Sequence, residues 1–287
     1  MFRRIRHGAA RRRVIPGAES PPATPARHAL RLVCEDLSLG APRPEDEDEA
    51  SAILSDTLIQ APAGRLTEET LTAVDAWLAP RAAPGRQPAE LRDATAVSIR
   101  GARVLVWRGD IRTLRVGAIV NAANEGGLGC FRPDHVCVDN LVHRAAGPRL
   151  RDACAAAMAT RKNSLWAGAQ PILTPAFHLP SDAVLHVTGP HVTTAAPTPA
   201  DARRLASAYR LSLEAAMASG LPSVAFPCIS TGLFGYPQRA AAKVALETTL
   251  DWLRGRGAGA LEYVVFDTFT SEDHDIYREM LPLLARA

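Results

Sequence analysis

The sequence predicts an α/β protein, a sheet covered by helices, and three observations predict it. Apolar runs of three or four residues recur beyond residue 100, each leading into a polar, glycine or proline residue, as strands buried on both faces do. Longer segments with apolar residues at helical spacing lie between them. The two patterns alternate, and alternation of strand with helix marks a helix-covered sheet. At 287 residues and 47% hydrophobic, the chain can bury a core and has room for one large domain plus an extension. No segment approaches the ~20 consecutive apolar residues of a membrane-spanning helix, so a soluble protein with no membrane partner is expected.

Residues 1–27 read as a disordered basic leader. Arg3, Arg4, Arg6, Arg11, Arg12 and Arg13 come without an acid among them, and Pro, Ala, Ser and Gly follow. Such a start is either a solvated tail or a targeting segment, and it lacks the apolar stretch of a secretory signal. The leader also explains the overall charge. Net +3 for the whole chain becomes an excess of acids beyond residue 13, which leaves no broad basic face for nucleic acid.

Residues 28–98 read as a broken helical region. Residues 28–37 are a first short helix. The acidic run from Glu45 to Glu49 leads into a second over 50–59, where acids suit the positive end of the helix dipole. After Pro62 and Gly64, Thr67 caps a third with Leu71, Val74, Trp77 and Leu78 on its apolar face. Pro80, Pro84 and Pro88 end the region. It is too thin to hold a core alone and is expected to pack on the larger domain, with Trp77 in that packing and no chemistry of its own.

Residues 99–284 form the main domain. Strands are predicted over 104–107, 118–120, 184–187, 224–227 and 263–266. A helix over 202–219 carries Leu205, Tyr209, Leu213 and Met217 at four-residue spacing and stops at Gly220. Another starts at Pro237 and runs to about 253, before Gly255. There is no internal repeat.

Ligand sites of open α/β folds lie in the loops at the carboxyl ends of strands, and three such loops stand out. The first is Gly109-Asp110-Ile111, where a carboxylate just past a strand either accepts from an exocyclic amine or caps the following turn. The second runs over 121–143. Gly126, Gly127 and Gly129 let backbone approach a ligand, and the Asn124 amide can both donate to and accept from a sugar hydroxyl. Cys130, His135 and Cys137 follow as C-x4-H-x-C, two thiolates and an imidazole that suit Zn²⁺ and neutralise its charge. Three ligands leave a coordination position open unless Asp134 or Asp139 fills it. The third loop, Ser230, Thr231, Gly232, Leu233, Phe234 and Gly235 before Pro237, presents backbone N–H groups at a helix start, which suits an anion. It matches neither G-x-G-x-x-G nor the P-loop pattern.

Taken in order, G-D-I, A-I-V-N-A-A-N, V-D-N-L-V-H-R-A-A-G, H-V-T-G-P and I-S-T-G-L-F-G-Y-P closely resemble the macrodomain family of ADP-ribose-binding modules. The resemblance covers about 99–284. The C-x4-H-x-C insert resembles the zinc-dependent branch, whose members carry a helical N-terminal region and remove ADP-ribose from acidic residues of proteins. It implies a three-layer α/β/α mixed sheet, a Zn²⁺ cofactor on Cys130, His135 and Cys137, and ADP-ribose and ADP-ribosylated protein as partners. It further implies that Asp110 binds the adenine amine, with the backbone N–H of Ile111 beside it. Asn124 and Asp139 would be the catalytic pair and would both bind substrate, Asn124 holding the distal ribose and Asp139 supplying the carboxylate next to it. Ser230 to Gly235 would take the diphosphate, Phe234 would wall the ribose, and Phe269 would stack on adenine. Two positions depart from the family pattern: Glu125, where a small polar residue is common, and Gly117, where Asp is frequent.

The function expected from the resemblance is a glycosidase-type protein ADP-ribosyl hydrolase. The alternatives are a non-catalytic reader of ADP-ribose with a structural zinc, and a hydrolase of a free derivative such as O-acetyl-ADP-ribose. Five cysteines and no secretory signal argue for a reducing compartment, the cytoplasm. Cys34, Cys154 and Cys228 read as small buried residues. His143 and His186 read as structural, and a monomer is the default expectation.

Overall fold

In the computed structural model, which describes residues 24–286 except 92, 163, 194–195, 257–258 and 260, the predicted apolar runs become the middle of one mixed sheet. Its strands are β1 (Thr95–Ile99), β2 (Ala102–Trp107), β3 (Ala118–Ala122), β4 (Ile172–Pro175), β5 (Ala183–Val187), β6 (Ser223–Phe226) and β7 (Tyr263–Asp267). They lie in the order β1-β2-β7-β6-β3-β5-β4. The inner pairings are parallel, and the two edge strands are antiparallel to their neighbours. Central strands such as β5 and β6 are buried at every residue, whereas β1 alternates, as an edge strand with one wetted face must.

The two-residue period of a strand sorts its side chains into two cores. Val104, Val106, Val120, Leu185, Val224, Phe226, Val264 and Phe266 face one side. There they meet α6 (Pro199–Ala218), α7 (Gln238–Arg254) and α8 (Ser271–Arg286) through Leu205, Tyr209, Leu246, Leu250 and Tyr277. Leu105, Trp107, Ile119, Val184, Ala225 and Val265 face the other, against Val142 of α4 (Val138–Ala146) and Leu150 and Cys154 of α5 (Pro148–Ala159). This is the three-layer α/β/α arrangement.

Before the sheet come α1 (Pro25–Asp36), α2 (Glu47–Gln60) and α3 (Glu68–Leu78). Asp46 caps α2 by accepting from the Glu49 N–H, with Glu47, Asp48 and Glu49 in the first turn; Thr67 caps α3 as anticipated. The three helices enclose a cluster of their own around Leu30, Val33, Leu54, Val74 and Trp77. They also lie on the α4 and α5 side of the main domain. Arg149 of α5 pairs there with Glu68 and Asp75 of α3, and His178 reaches the same Asp75 at 2.9 Å. The basic leader over 1–23 lies outside the described residues; the first helix begins at Pro25, inside the segment the sequence assigned to the leader.

Four elements were not anticipated. β1 is half polar, β4 is four residues ending in proline, α5 is alanine-rich and α8 contains Pro282. The first three lack a strong apolar period and take their conformation from what they pack on, whereas α8 carries Ile276, Tyr277, Met280, Leu281 and Leu284 at helical spacing, interrupted by Pro282. Among the described residues, no helix is long and apolar enough to cross a membrane.

Candidate active site

After β3 the chain goes to the edge strand β4, comes back as β5 beside β3, and then crosses to the other side of β3 at β6. The crevice beyond the carboxyl ends of β3 and β6 is therefore where the winding reverses, the place where open α/β sheets bind ligands. A cleft of about 430 Å³ opens there. Its lining includes all of the sequence-predicted site residues except Gly235: Asp110, Ile111, Asn124, Cys130, His135, Cys137, Asp139, Ser230, Thr231, Gly232, Leu233 and Phe234, with Phe269 as well.

Asp139 sits in the first turn of α4, buried. Asn121, inward-facing on β3, donates from Nδ2 to Asp139 Oδ1 at 2.7 Å, and its second Nδ2 contact is His186 Nδ1 at 3.1 Å. The parallel register puts Asn121 opposite His186, and Thr174 on β4 meets His186 Nε2 at 3.0 Å. Asn124 Nδ2 lies 3.5 Å from Asp139 Oδ2, and His143 Nε2 lies 3.6 Å from Oδ1. Burial raises the Asp139 carboxyl to about 6, against the Asn121 hydrogen bond and the positive charge of Arg151, which both lower it. Burial holds His186 at about 3 and His143 well below its ordinary value, so both rings are neutral.

The Asn124 amide closes its own loop. Its Nδ2 donates to the Gly129 carbonyl at 3.0 Å and its Oδ1 accepts from the Gly126 N–H at 2.9 Å. Glu125 is exposed and stands outside the cleft lining. At Gly117 an added Cβ would lie 2.9 Å from the Ser223 carbonyl, which leaves no space for an aspartate.

The donor atoms of Cys130, His135 and Cys137 all lie within 4.8 Å of one another, with Cys130 Sγ 3.2 Å from His135 Nδ1. Neither Asp134, exposed and 3.5 Å from Arg132, nor Asp139 belongs to this trio. Cys137 is also the N-cap of α4, accepting from the Asn140 N–H. Burial pushes its thiol up to about 11, with the Asn140 N–H opposing and Cys130 and Asp139 adding to the rise. A thiolate at Cys137 is thus disfavoured without a cation beside it, and a donor set of two soft sulfurs and an imidazole suits Zn²⁺.

The 230–235 loop turns sharply. Ser230 has φ 71°, a left-handed conformation that is costly for a residue with a side chain and that collects at ligand clamps. Its buried Oγ has no hydrogen-bond partner, and an added Cβ at Gly189 would come 2.0 Å from it, so only glycine fits opposite. At Gly232 an added Cβ would meet nothing within 4 Å. Gly235 closes the turn through its N–H to the Gly232 carbonyl, and the Phe234 ring lies 5.3 Å from His191.

At the opposite end, Asp110 caps the turn over 111–113 and pairs with Arg112 at 2.7 Å. Burial works to raise its carboxyl, but the Arg112 side chain and backbone N–H hold it below its ordinary value. Asp267, at the end of β7, is pushed well above the carboxylate range by burial and by Asp110, with the N–H groups of Gly109 and Ile111 acting against this. Phe269 stands 72% exposed at the rim, free to lie on a ring.

Asn121, Gly189, His191 and Asp267 were not singled out from the sequence. Asn121 and Gly189 stood inside quoted motifs, N-A-A-N and H-V-T-G-P, and a glycine two residues past a buried strand was the available signal for Gly189. Asp267 carried none, since its partners come from β2 and β7 lying side by side. Cys228, read as a buried residue, is only partly buried and lines the cleft.

Residues 120–245 match the family model described as the Macro domain. The chain is 38% identical over 243 residues to a protein-ADP-ribose hydrolase of Treponema medium, across 84% of this chain and 91% of that one. A solved mutant of the Oceanobacillus iheyensis macrodomain with ADPR is 34% identical at a TM-score of 0.61, covering 68% of this chain and 100% of that one. The Trypanosoma brucei macrodomain in complex with ADP-ribose is 30% identical at a TM-score of 0.61, over 79% of this chain and 95% of that one.

Proposed function

The chain belongs to the macrodomain family, and from that premise we propose that it is a zinc-dependent hydrolase that removes ADP-ribose from modified Glu or Asp side chains of proteins. Hydrolysis of protein-linked ADP-ribose is the activity for which its Treponema medium relative is named. One observation carries the assignment to this site. A buried carboxylate, held from behind by Asn121, faces the same cleft as the three donors Cys130, His135 and Cys137 and the glycine-rich 230–235 turn.

The bond to be broken joins C1″ of the distal ribose to a carboxylate oxygen of the modified side chain. Water adds its oxygen to C1″, that bond to the side chain breaks, the carboxylate leaves with the electron pair, and one proton comes off the water. Asp139 is the acceptor for that proton; a carboxyl raised toward neutral pH by burial is a better base than an exposed one. Asn121 keeps the carboxylate aimed into the cleft and leaves Oδ2 toward Asn124. The 230–235 turn holds the diphosphate through backbone N–H groups, and Phe234 and Phe269 confine the two sugar and base ends. Cys130, His135 and Cys137 would hold the zinc, which would supply Lewis acidity in the cleft.

The test is release of ADP-ribose from a protein modified on glutamate, before and after chelation. Release that stops with chelator and returns with added zinc is the expected result. Binding of ADP-ribose without any release would instead make the protein a reader, and release indifferent to chelator would remove the metal from the reading.

A further inference from the structure

We infer that α2 braces the loop that carries Cys130, His135 and Cys137, with Arg144 and Arg151 as the positioning residues that transmit its grip. The inference rests on the proposed metal role of that loop. It also gives the N-terminal helices, expected to bring no chemistry, a part in the site.

Residues 123–137 contain neither helix nor strand. A loop with no ladder of its own holds three donors together only if neighbours fix its backbone. Some of that fixing is local: Asn140 Nδ2 donates to the carbonyls of Arg132 and His135 at 2.6 and 2.7 Å. The rest comes from two arginines. Arg151 Nε donates to the Leu128 carbonyl at 2.8 Å, and its guanidinium lies 4.4 Å above the Phe131 ring. Arg144 Nη2 donates to the Pro133 carbonyl at 3.0 Å. The loop is thus held on both sides of Cys130 and just before His135.

Both guanidinium groups are held from behind by α2. Arg151 donates to the carbonyls of Leu58, Ile59 and Ala61 at 2.6–3.0 Å, at the C-terminal end of that helix where the negative end of its dipole lies and where Leu58 otherwise accepts only a 3.3 Å bond from the Ala61 N–H. Arg144 donates to Ser55 Oγ at 2.5 Å and to Asp56 Oδ1 at 2.7 Å. A planar guanidinium with five fixed donors can bridge two backbones in this way, and a lysine cannot. Arg151 is buried, so its donors have no water to turn to when α2 is displaced. The chain from α2 to Arg144 or Arg151 to the loop is continuous, and neither arginine lines the cleft.

The test uses the full chain in two variants. Arg144→Met breaks the link to α2 and to Pro133 together. Ser55→Ala with Asp56→Ala releases Arg144 from α2 only, leaves its bond to Pro133, and alters surface positions that carry no core. Two rates are read: zinc transfer from the loaded protein to a coloured chelator, and alkylation of Cys130 and Cys137 in metal-free protein, mapped by mass spectrometry. Both variants should release zinc faster by about 10–100-fold, the usual scale for losing a partner behind the metal ligands, and both should alkylate faster at these two cysteines. Wild-type rates in the Ser55/Asp56 variant overturn the inference, whether or not Arg144→Met folds, because α2 then exerts no hold through Arg144. If wild-type protein binds no zinc, the metal reading fails, and the alkylation rates alone decide whether α2 braces the loop.

Discussion

The Asp139 carboxylate stands where a negative charge is both costly and favoured. Burial opposes its ionisation, while the first turn of α4 and the Asn121 amide support it. A group so balanced is poised to take and return a proton. Asp139→Ala should therefore keep ADP-ribose affinity and lose turnover by roughly 10²-fold or more, the scale of a positioned acid–base group. Zinc content, affinity and release rate measured on one preparation check this, and full activity in a zinc-replete variant would remove Asp139 from the mechanism. Asp139 and Asn124 were legible in the sequence because they sit in motifs with recognisable neighbours. Asn121 was not, because its role depends on a strand-to-strand register and on the depth of burial behind it.

Among the elements, the turn between β6 and α7 is where chain conformation and ligand chemistry meet most directly. Ser230 is held in a left-handed conformation, and Gly232 faces open space. Nothing in the protein would collide with a side chain at Gly232, so Gly232→Val should unfold at the wild-type temperature. The added methyl groups would occupy the space that a diphosphate needs. ADP-ribose binding should then weaken by about tenfold or more, equivalent to one hydrogen bond to a charged group at roughly 1.5–3 kcal/mol. Calorimetric titration beside a thermal melt checks both halves, and unchanged affinity in the folded variant would remove the diphosphate from this turn. The glycines of this loop were legible as a cradle. Gly189 on the neighbouring strand end was not read that way, although its missing side chain makes room for Ser230.

At the scale of the whole molecule, two neutral histidines lie buried between the sheet and α4 and α5. The folded pKa values of His186, about 3, and of His143 lie below the ordinary value, so in acid the unfolded chain binds protons that the folded one does not. Stability must fall as pH drops from about 6.5 toward 3, by about 1.4 kcal/mol per pH unit for His186, with His143 acting in the same direction. Asp139, raised when folded, acts in the opposite sense over part of that range. Comparing wild type with His186→Gln isolates the histidine: urea unfolding across this pH range should give a shallower acid loss by one proton. Equal slopes would mean that His186 takes up its proton without unfolding.

The central strands, the long helices α6 and α7, the three loops at the strand ends and the polar and glycine residues that those loops bring to the cleft were legible in the sequence alone. They were legible because buried strands, helix caps and glycine-rich turns are written locally, within a few neighbouring residues. The sequence also marked Cys130, His135 and Cys137 as a donor set by residue type and spacing, although seven residues of extended chain span roughly 24 Å and only the fold brings the three donor atoms together. Everything that joins distant segments came from the three-dimensional packing instead. Examples are the edge strands, the exclusion of Asp134 and Asp139 from the donor trio, the Asn121–Asp139 hydrogen bond, and the grip of α2 on the loop through Arg144 and Arg151. The physical reason is that burial and hydrogen-bond partnership depend on what packs opposite. Asp139 and Asp134 are the same residue type five positions apart, yet one is sealed under Asn121 and the other lies in water.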